Sequence, residues 1–166
     1  MMMIRNIKVD DAERFLNLSK QLDEETKFML YEPGERKTTL EAQTERISSI
    51  LSSNNSMIFV AEADGEIVGY LGAFGSDLNR IKHSVHIVVG ILQKYTGQGI
   101  GSKLFQELED WARKQHIHRL ELTVMSHNQA AFALYKKVGF EVEGIKKHSL
   151  IVDDEYVDEY YMAKLL

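Results

Sequence analysis

The chain of 166 residues has no cysteine, one proline and no cluster of basic residues. The lack of cysteine excludes disulfides, thiolate metal sites and any thiol-acyl intermediate, and it fits a reducing cytoplasm. Net charge is −5 without a run of Lys or Arg. Phosphate backbones need clustered cations, so a nucleic-acid partner is not expected. No apolar run approaches the length of a membrane span, so no membrane role is expected. The start Met1-Met2-Met3-Ile4 is broken by Arg5, Asn6 and Lys8, which argues against a signal peptide. One further absence concerns chemistry: no carboxylate occurs between Asp77 and Glu107.

What is present describes an ordinary globular domain, 44% apolar and 27% charged, of a length suited to one core over residues 1–166. From Ile81 to Ile91 the chain is rich in β-branched residues, with Ile81, Val85, Ile87, Val89 and Ile91 in one row and His83 as that row's exception. The other row holds Ser84, His86, Val88 and Gly90. From Ile100 the period changes, and Ile100, Leu104, Leu108, Trp111 and Ala112 form a helical stripe. Gly97, Gly99 and Gly101 therefore fall where a strand's exit loop becomes a helix. Backbone N–H groups without side chains in the way, at a helix N-terminus, suit a phosphate.

Three phosphate patterns use glycine in this way. A Walker loop requires another order and spacing than Gly101-Ser102-Lys103. A dinucleotide fingerprint requires a third glycine where Leu104 stands and a strand ending directly before the first. Glu121, at the distance of a ribose-binding acid, is weak support for it.

The rest of the chain supplies the remaining elements. Met3 to Val9 reads as a strand, Asp10-Asp-Ala-Glu13 as a capping box, and Ala12, Phe15, Leu16, Ser19 and Leu22 as a helical stripe. Asp23 to Lys37, which holds the only proline, reads as a partly irregular loop. Thr38-Thr-Leu-Glu41 caps a second helix with Leu40, Ile47, Ile50 and Leu51 inward. Met57–Ala63 and Ile67–Phe74 form a hairpin at Asp64-Gly65. Leu120 to Met125 is a fifth strand, Asn128 to Val138 a helix closed by Gly139, and Phe140–Val152 with Tyr156–Leu165 a last hairpin. The order β-α-α-β-β-β-α-β-α-β-β describes one α/β (α+β) domain with a mixed sheet.

The third pattern, Gln/Arg-x-x-Gly-x-Gly/Ala after a strand and a short polar loop, resembles the pyrophosphate loop of the GNAT superfamily of N-acetyltransferases. Thr96-Gly97-Gln98-Gly99-Ile100-Gly101 matches it at both closing glycines and departs from it at Thr96. A second segment, Asn128-Gln-Ala-Ala131-Phe-Ala-Leu134-Tyr135-Lys-Lys-Val-Gly139-Phe140, is similar to the superfamily's Asn-x-x-Ala-x-x-Leu-Tyr-x-x-x-Gly-Phe at every signature position. On residues alone, Asn128 is a helix cap and Tyr135 a core aromatic. The two motifs, in order and about thirty residues apart, carry the resemblance.

The resemblance implies a twisted, mostly antiparallel sheet flanked by helices, and direct transfer of acetyl from acetyl-CoA to an amine, with no metal. It implies that backbone groups at Val89 and Ile91 hold the pantetheine arm between splayed fourth and fifth strands. The loop of Thr96, Gly97, Gln98, Gly99, Gly101 and Ser102, with Asn128, Ala131 and Tyr135, would complete the cofactor site. Tyr135 would protonate the departing thiolate. Relatives carry a glutamate base in the fourth strand, which this chain lacks. His86 is the candidate in its place, since an imidazole titrates near ~6.5, with Glu121 second and His83 structural. The similar members are bacterial enzymes acting on small-molecule amines or amino acids, and a homodimer is compatible with them. An acyl-CoA-binding regulatory module without turnover, and a protein N-terminal acetyltransferase, are the alternatives.

Overall fold

The structure, a computed structural model, describes residues 2–166; Met1, part of the apolar start, lies outside them. Among the described residues, seven strands form one sheet in the order β1-β2-β3-β4-β5-β7-β6. They are β1 (Met2–Asn6), β2 (Met57–Ala63), β3 (Glu66–Gly75), β4 (Ser84–Ile91), β5 (Arg119–Met125), β6 (Glu141–Val152) and β7 (Glu155–Leu165). Every pairing is antiparallel except β4 with β5. The helices are α1 (Ala12–Glu25), α2 (Leu40–Leu51), α3 (Ile100–Lys114) and α4 (Gln129–Lys137). The expected order of elements is the observed one.

Side chains alternate across a strand, which assigns the layers. Tyr70 of β3 meets Phe15 of α1, ring centroids 5.0 Å apart, so α1 and α2 cover that face. Phe59 of β2 sits on the opposite face against Trp111 of α3. There α4 joins α3 through Tyr135 on Phe105. The helical stripe of α3 is buried as expected at Ile100, Leu104, Leu108 and Ala112.

Several boundaries differ from the expectation. β1 stops at Asn6, and Val9–Asp11 form a 3-10 turn. The Asp10–Glu13 capping box does not form: Asp11 holds the N-cap position of α1 without a side-chain cap bond, and its carboxylate takes hydrogen bonds from Arg5, Arg14 and the Lys8 N–H. Asp23 belongs to α1, not to the loop; it is buried and ion-paired to Arg36 at 2.8 Å. Leu40 and Leu51 of α2 face solvent, since only the Gln43–Ile47–Ile50 side is buried. Ile81 lies in the turn before β4 and is half exposed, so it does not extend the apolar row.

The Asp11 cluster yields a stability expectation. Burial pushes its carboxyl up, but bonds from Arg5, the Lys8 N–H and Arg14 outweigh burial and bring it down to about 2. The folded value lies below the unfolded one of 3.8. The contribution is therefore complete above pH 4 and is lost as pH falls toward 2, in all on the order of 2 kcal/mol. Asp11→Ala should lower unfolding free energy at neutral pH by ~3 kcal/mol, because Arg5 is left without its buried partner. Urea unfolding at pH 7 and pH 3 checks both: the gap between wild type and variant should narrow at pH 3.

Candidate active site

β4 and β5 pair only from Ser84↔Arg119 to His86↔Glu121, and beyond that rung they separate. The direction of the free backbone groups follows from the bonds at either end. Leu92 N–H donates to Val68 of β3, and the His83 carbonyl accepts from Arg119 of β5. Backbone groups alternate sides along a strand. Even residues of β4 therefore serve β3, while Val89 and Ile91 present their N–H and C=O to the gap. This is the edge that an extended ligand arm can use as a strand would.

At the end of β4 the chain makes a 3-10 turn, Gln93–Tyr95, and enters the glycine loop. Gly97 and Gly99 have φ of +75° and +80°, with open space where a side chain would project. They are glycine for conformation rather than for room. Gly101 is the reverse: it lies in α3, and a Cβ there would come within 2.6 Å of Leu134 of α4. The first helical bond of α3 is Lys103 N–H to the Gly99 carbonyl. Among the described residues, no acceptor is found for the N–H groups of Gly97 to Ser102. Six unpartnered donors at the positive end of a fifteen-residue helix, five of them on residues that line the cleft, make a cradle for an anion such as pyrophosphate. Thr96 takes no part through its side chain, since its hydroxyl donates to Gln93 at 2.8 Å. Gln98 likewise turns back, with its amide on the Lys94 carbonyl.

Across the gap, Asn128 caps α4 by accepting the Ala131 N–H, so both residues of that signature are tied to the helix start. Tyr135 is buried between Phe105 and Phe140, and burial pushes its phenol up to about 12. Among the described residues its hydroxyl has no hydrogen-bond partner. Val89, Ile91, Thr96, Gly97, Gly99, Gly101, Ser102, Asn128, Ala131 and Tyr135 all line one cleft of about 1810 Å³. Gln98 does not.

His86 stands on the last paired rung, where the strands part, with Phe74 and Glu121 as its cross-strand neighbours. Its side chain is exposed to the cleft on the α1–α2 face. Arg119 bonds Glu121 at 2.8 Å and Glu143 at 2.6 Å, and burial, opposing them, is weaker, so its guanidinium is held well above the ordinary range. His83 lies before β4, its ring 6.5 Å from that of His118.

The segment after α1 forms one wall of the half of the cleft away from the glycine loop. Thr26 to Leu30 crosses the mouth of the cleft, with Phe28 on His127 and Lys27 on Asp153 in the β6–β7 turn. Asp23–Arg36 and Arg36 stacked on Tyr31 anchor that segment. The opposite wall, missed in the sequence, is the β6–β7 hairpin: Val157, Glu159 and Tyr161 alternate onto the cleft, and Ser149 bonds Glu159. The alternation of Val157, Glu159 and Tyr161 was the signal available for it. Among the described residues no group of three or more His, Asp or Glu could hold a metal ion, and no helix is long and apolar enough to cross a membrane.

Comparison with known proteins agrees with this geometry. The sequence model of the acetyltransferase (GNAT) family matches residues 19–140. The L-amino acid N-acetyltransferase AaaT of Escherichia coli is 36% identical over 110 residues, 64% of this chain and 66% of that protein. The N-alpha-acetyltransferase RimI of Mycobacterium tuberculosis is 37% identical over 117 residues, 69% of each. The chain thus spans about two thirds of the length of either relative. Over its full length it superposes on an acetyltransferase of the GNAT family from Streptococcus pneumoniae with a TM-score of 0.97 at 29% identity, covering 100% of both chains.

Proposed function

This chain belongs to the GNAT acetyltransferase family, and on that footing we propose that it is an acetyl-CoA-dependent N-acetyltransferase whose acceptor is the primary amine of a small molecule or amino acid. The observation that carries the reading is the coincidence of two unsatisfied sets of backbone groups on one cleft. One is the edge of β4 at Val89 and Ile91; the other is the run of N–H groups from Gly97 to Ser102. Together they match a ligand with an amide-bearing arm and a pyrophosphate, as CoA has. Acetyl-CoA should raise the melting temperature in a concentration-dependent way, and NAD and ATP should not. Stabilisation by NAD or ATP alone would overturn the assignment.

In this reading the Gly97–Ser102 amides hold the pyrophosphate, and an N–H at the open edge of β4 steadies the negative charge that develops on the carbonyl oxygen. Tyr135 supplies a proton to the leaving sulfur, and His86 takes one from the attacking amine. Attack is direct, in keeping with the absence of any cysteine. The similarity to an enzyme named as an N-alpha-acetyltransferase favours peptide N-termini as the second acceptor class. A cytoplasmic setting goes with either.

His86 is tested by the pH dependence of kcat/KM. Replacing it with Gln should remove the acidic limb and lower kcat/KM by about 100-fold, within the usual range for a general base, while acetyl-CoA still binds. A profile unchanged in the variant would move the role to Glu121 or to solvent.

A further inference from the structure

Past His86, the acceptor half of the cleft continues into a second concavity of about 370 Å³ at the closed end of the β4–β5 fork. The two share His86, Arg119 and Glu121. The far walls are Phe74 at the end of β3, and Ile81 and His83 in the connection to β4. This connection is a built wall. Asn55, itself buried, donates its side-chain amide to the Ser76 carbonyl at 2.7 Å and the Lys82 carbonyl at 3.3 Å, pinning both ends. Between them, Ile81 N–H bonds Leu78 and Ser84 N–H bonds Ile81. Ile81 is nonetheless 49% exposed, a large apolar side chain held toward a hollow by a rigid turn. Phe74 is also fixed, stacked under Arg46 at 5.1 Å.

We infer that this concavity receives an aromatic side chain carried by the acceptor, so that the preferred substrates are amines or amino acids with a ring one or two carbons from the nitrogen. The inference rests on the N-acetyltransferase reading and deepens it. A nitrogen within reach of the His86 imidazole has its substituent either at the mouth beneath Thr26–Leu30 or past His86 into this space. The lining sets Phe74 and Ile81 beside the His83 and His86 rings, with Gly75, Ser76, Ser84 and Arg119 completing the wall, and the apolar and aromatic part of it suits a planar apolar group. The single carboxylate on the rim, Glu121, already accepts the Arg119 Nε–H at 2.8 Å, so the hollow offers no free charge to a cationic side chain. Its volume is near the lower bound for ligand pockets, ~300 Å³, which fits one ring rather than a chain.

The experiment compares kcat/KM for L-phenylalanine with L-alanine, and for 2-phenylethylamine with ethylamine, on wild type and Ile81→Asp. The wild type should favour the aromatic partner of each pair by at least ~10-fold, the usual worth of a filled apolar pocket. Ile81→Asp should reduce that preference at least ~10-fold. No aromatic preference, or one that Ile81→Asp leaves intact, overturns the inference. A second measurement separates it from the parent reading: the Ile81 δ1-methyl NMR signal of the CoA-bound protein, titrated with L-phenylalanine and with L-alanine. A shift with phenylalanine alone, together with no acetylation of any amine, would sustain the pocket and sink the transferase. Acetylation without that shift would do the reverse.

Discussion

Tyr135→Phe should lower kcat by about 100-fold while leaving the affinity for acetyl-CoA nearly unchanged. General acid catalysis by a positioned side chain is worth roughly that or more. The substitution removes one oxygen and keeps the ring, so the packing on Phe105 and Phe140 survives. Burial has put the phenol at about 12, which keeps it protonated at any working pH and able to donate to a departing thiolate. Burial alone would also produce a packing tyrosine, and the hydroxyl's lack of a partner among the described residues is what favours catalysis. The oxygen is not among the buried side-chain atoms left without a partner, so it opens on the cleft, where a ligand atom can accept its proton. Steady-state rates at saturating acetyl-CoA and acceptor give the answer. A variant with wild-type kcat would return Tyr135 to the core.

Gly99→Val should weaken acetyl-CoA binding by at least ~100-fold, read as Kd by calorimetry. At φ +80° a β-branched residue is strained by a few kcal/mol, on the order of 1–3, and the chain would relax by rotating its amides out of the cradle. Because a side chain there meets nothing within 4 Å, the fold should persist with only the modest fall in stability that the strain sets, and the larger loss should appear in binding. Gly101→Val makes the contrast. Its Cβ would strike the Leu134 methyl groups, so that side chain must repack between α3 and α4 and stability itself should fall. Equal effects of the two substitutions on Kd and on stability would contradict this division of labour.

That division was not legible in the sequence. The spacing Gly97, Gly99, Gly101 reads as one motif with one purpose, and in three dimensions two of these glycines set a backbone conformation while the third sets a helix–helix distance. The elements themselves were legible, since hydrophobic period 2 around Val85–Ile91 and period 3.6 from Ile100 report the local environment directly. Their ends were less so. Asp23 is polar and reads as loop, yet Arg36, thirteen residues on, lets it be buried within α1; no local pattern encodes such a partner. The same holds for Asp11, whose side chain is drawn to Arg5 and Arg14 instead of capping the helix. The residues proposed to hold the cofactor, Gln98 excepted, meet on one cleft, and they could be named from the sequence because they lie close together along the chain. The acceptor half is assembled from α1, β4, β5 and the β6–β7 hairpin, which meet only through the sheet order β4-β5-β7-β6.

On the reading proposed above, the open fork of β4 and β5 carries out transfer and does not merely hold a ligand. That reading is tested most directly by counting free thiol released from acetyl-CoA, with and without a panel of amines, amino acids and N-terminal peptides, and counting N-acetyl product in the same reactions. Thiol release that depends on an amine and equals the product formed is the predicted result. Acetyl-CoA that binds tightly but remains intact with every amine in the panel would contradict it, and would leave a protein that senses the thioester without using it.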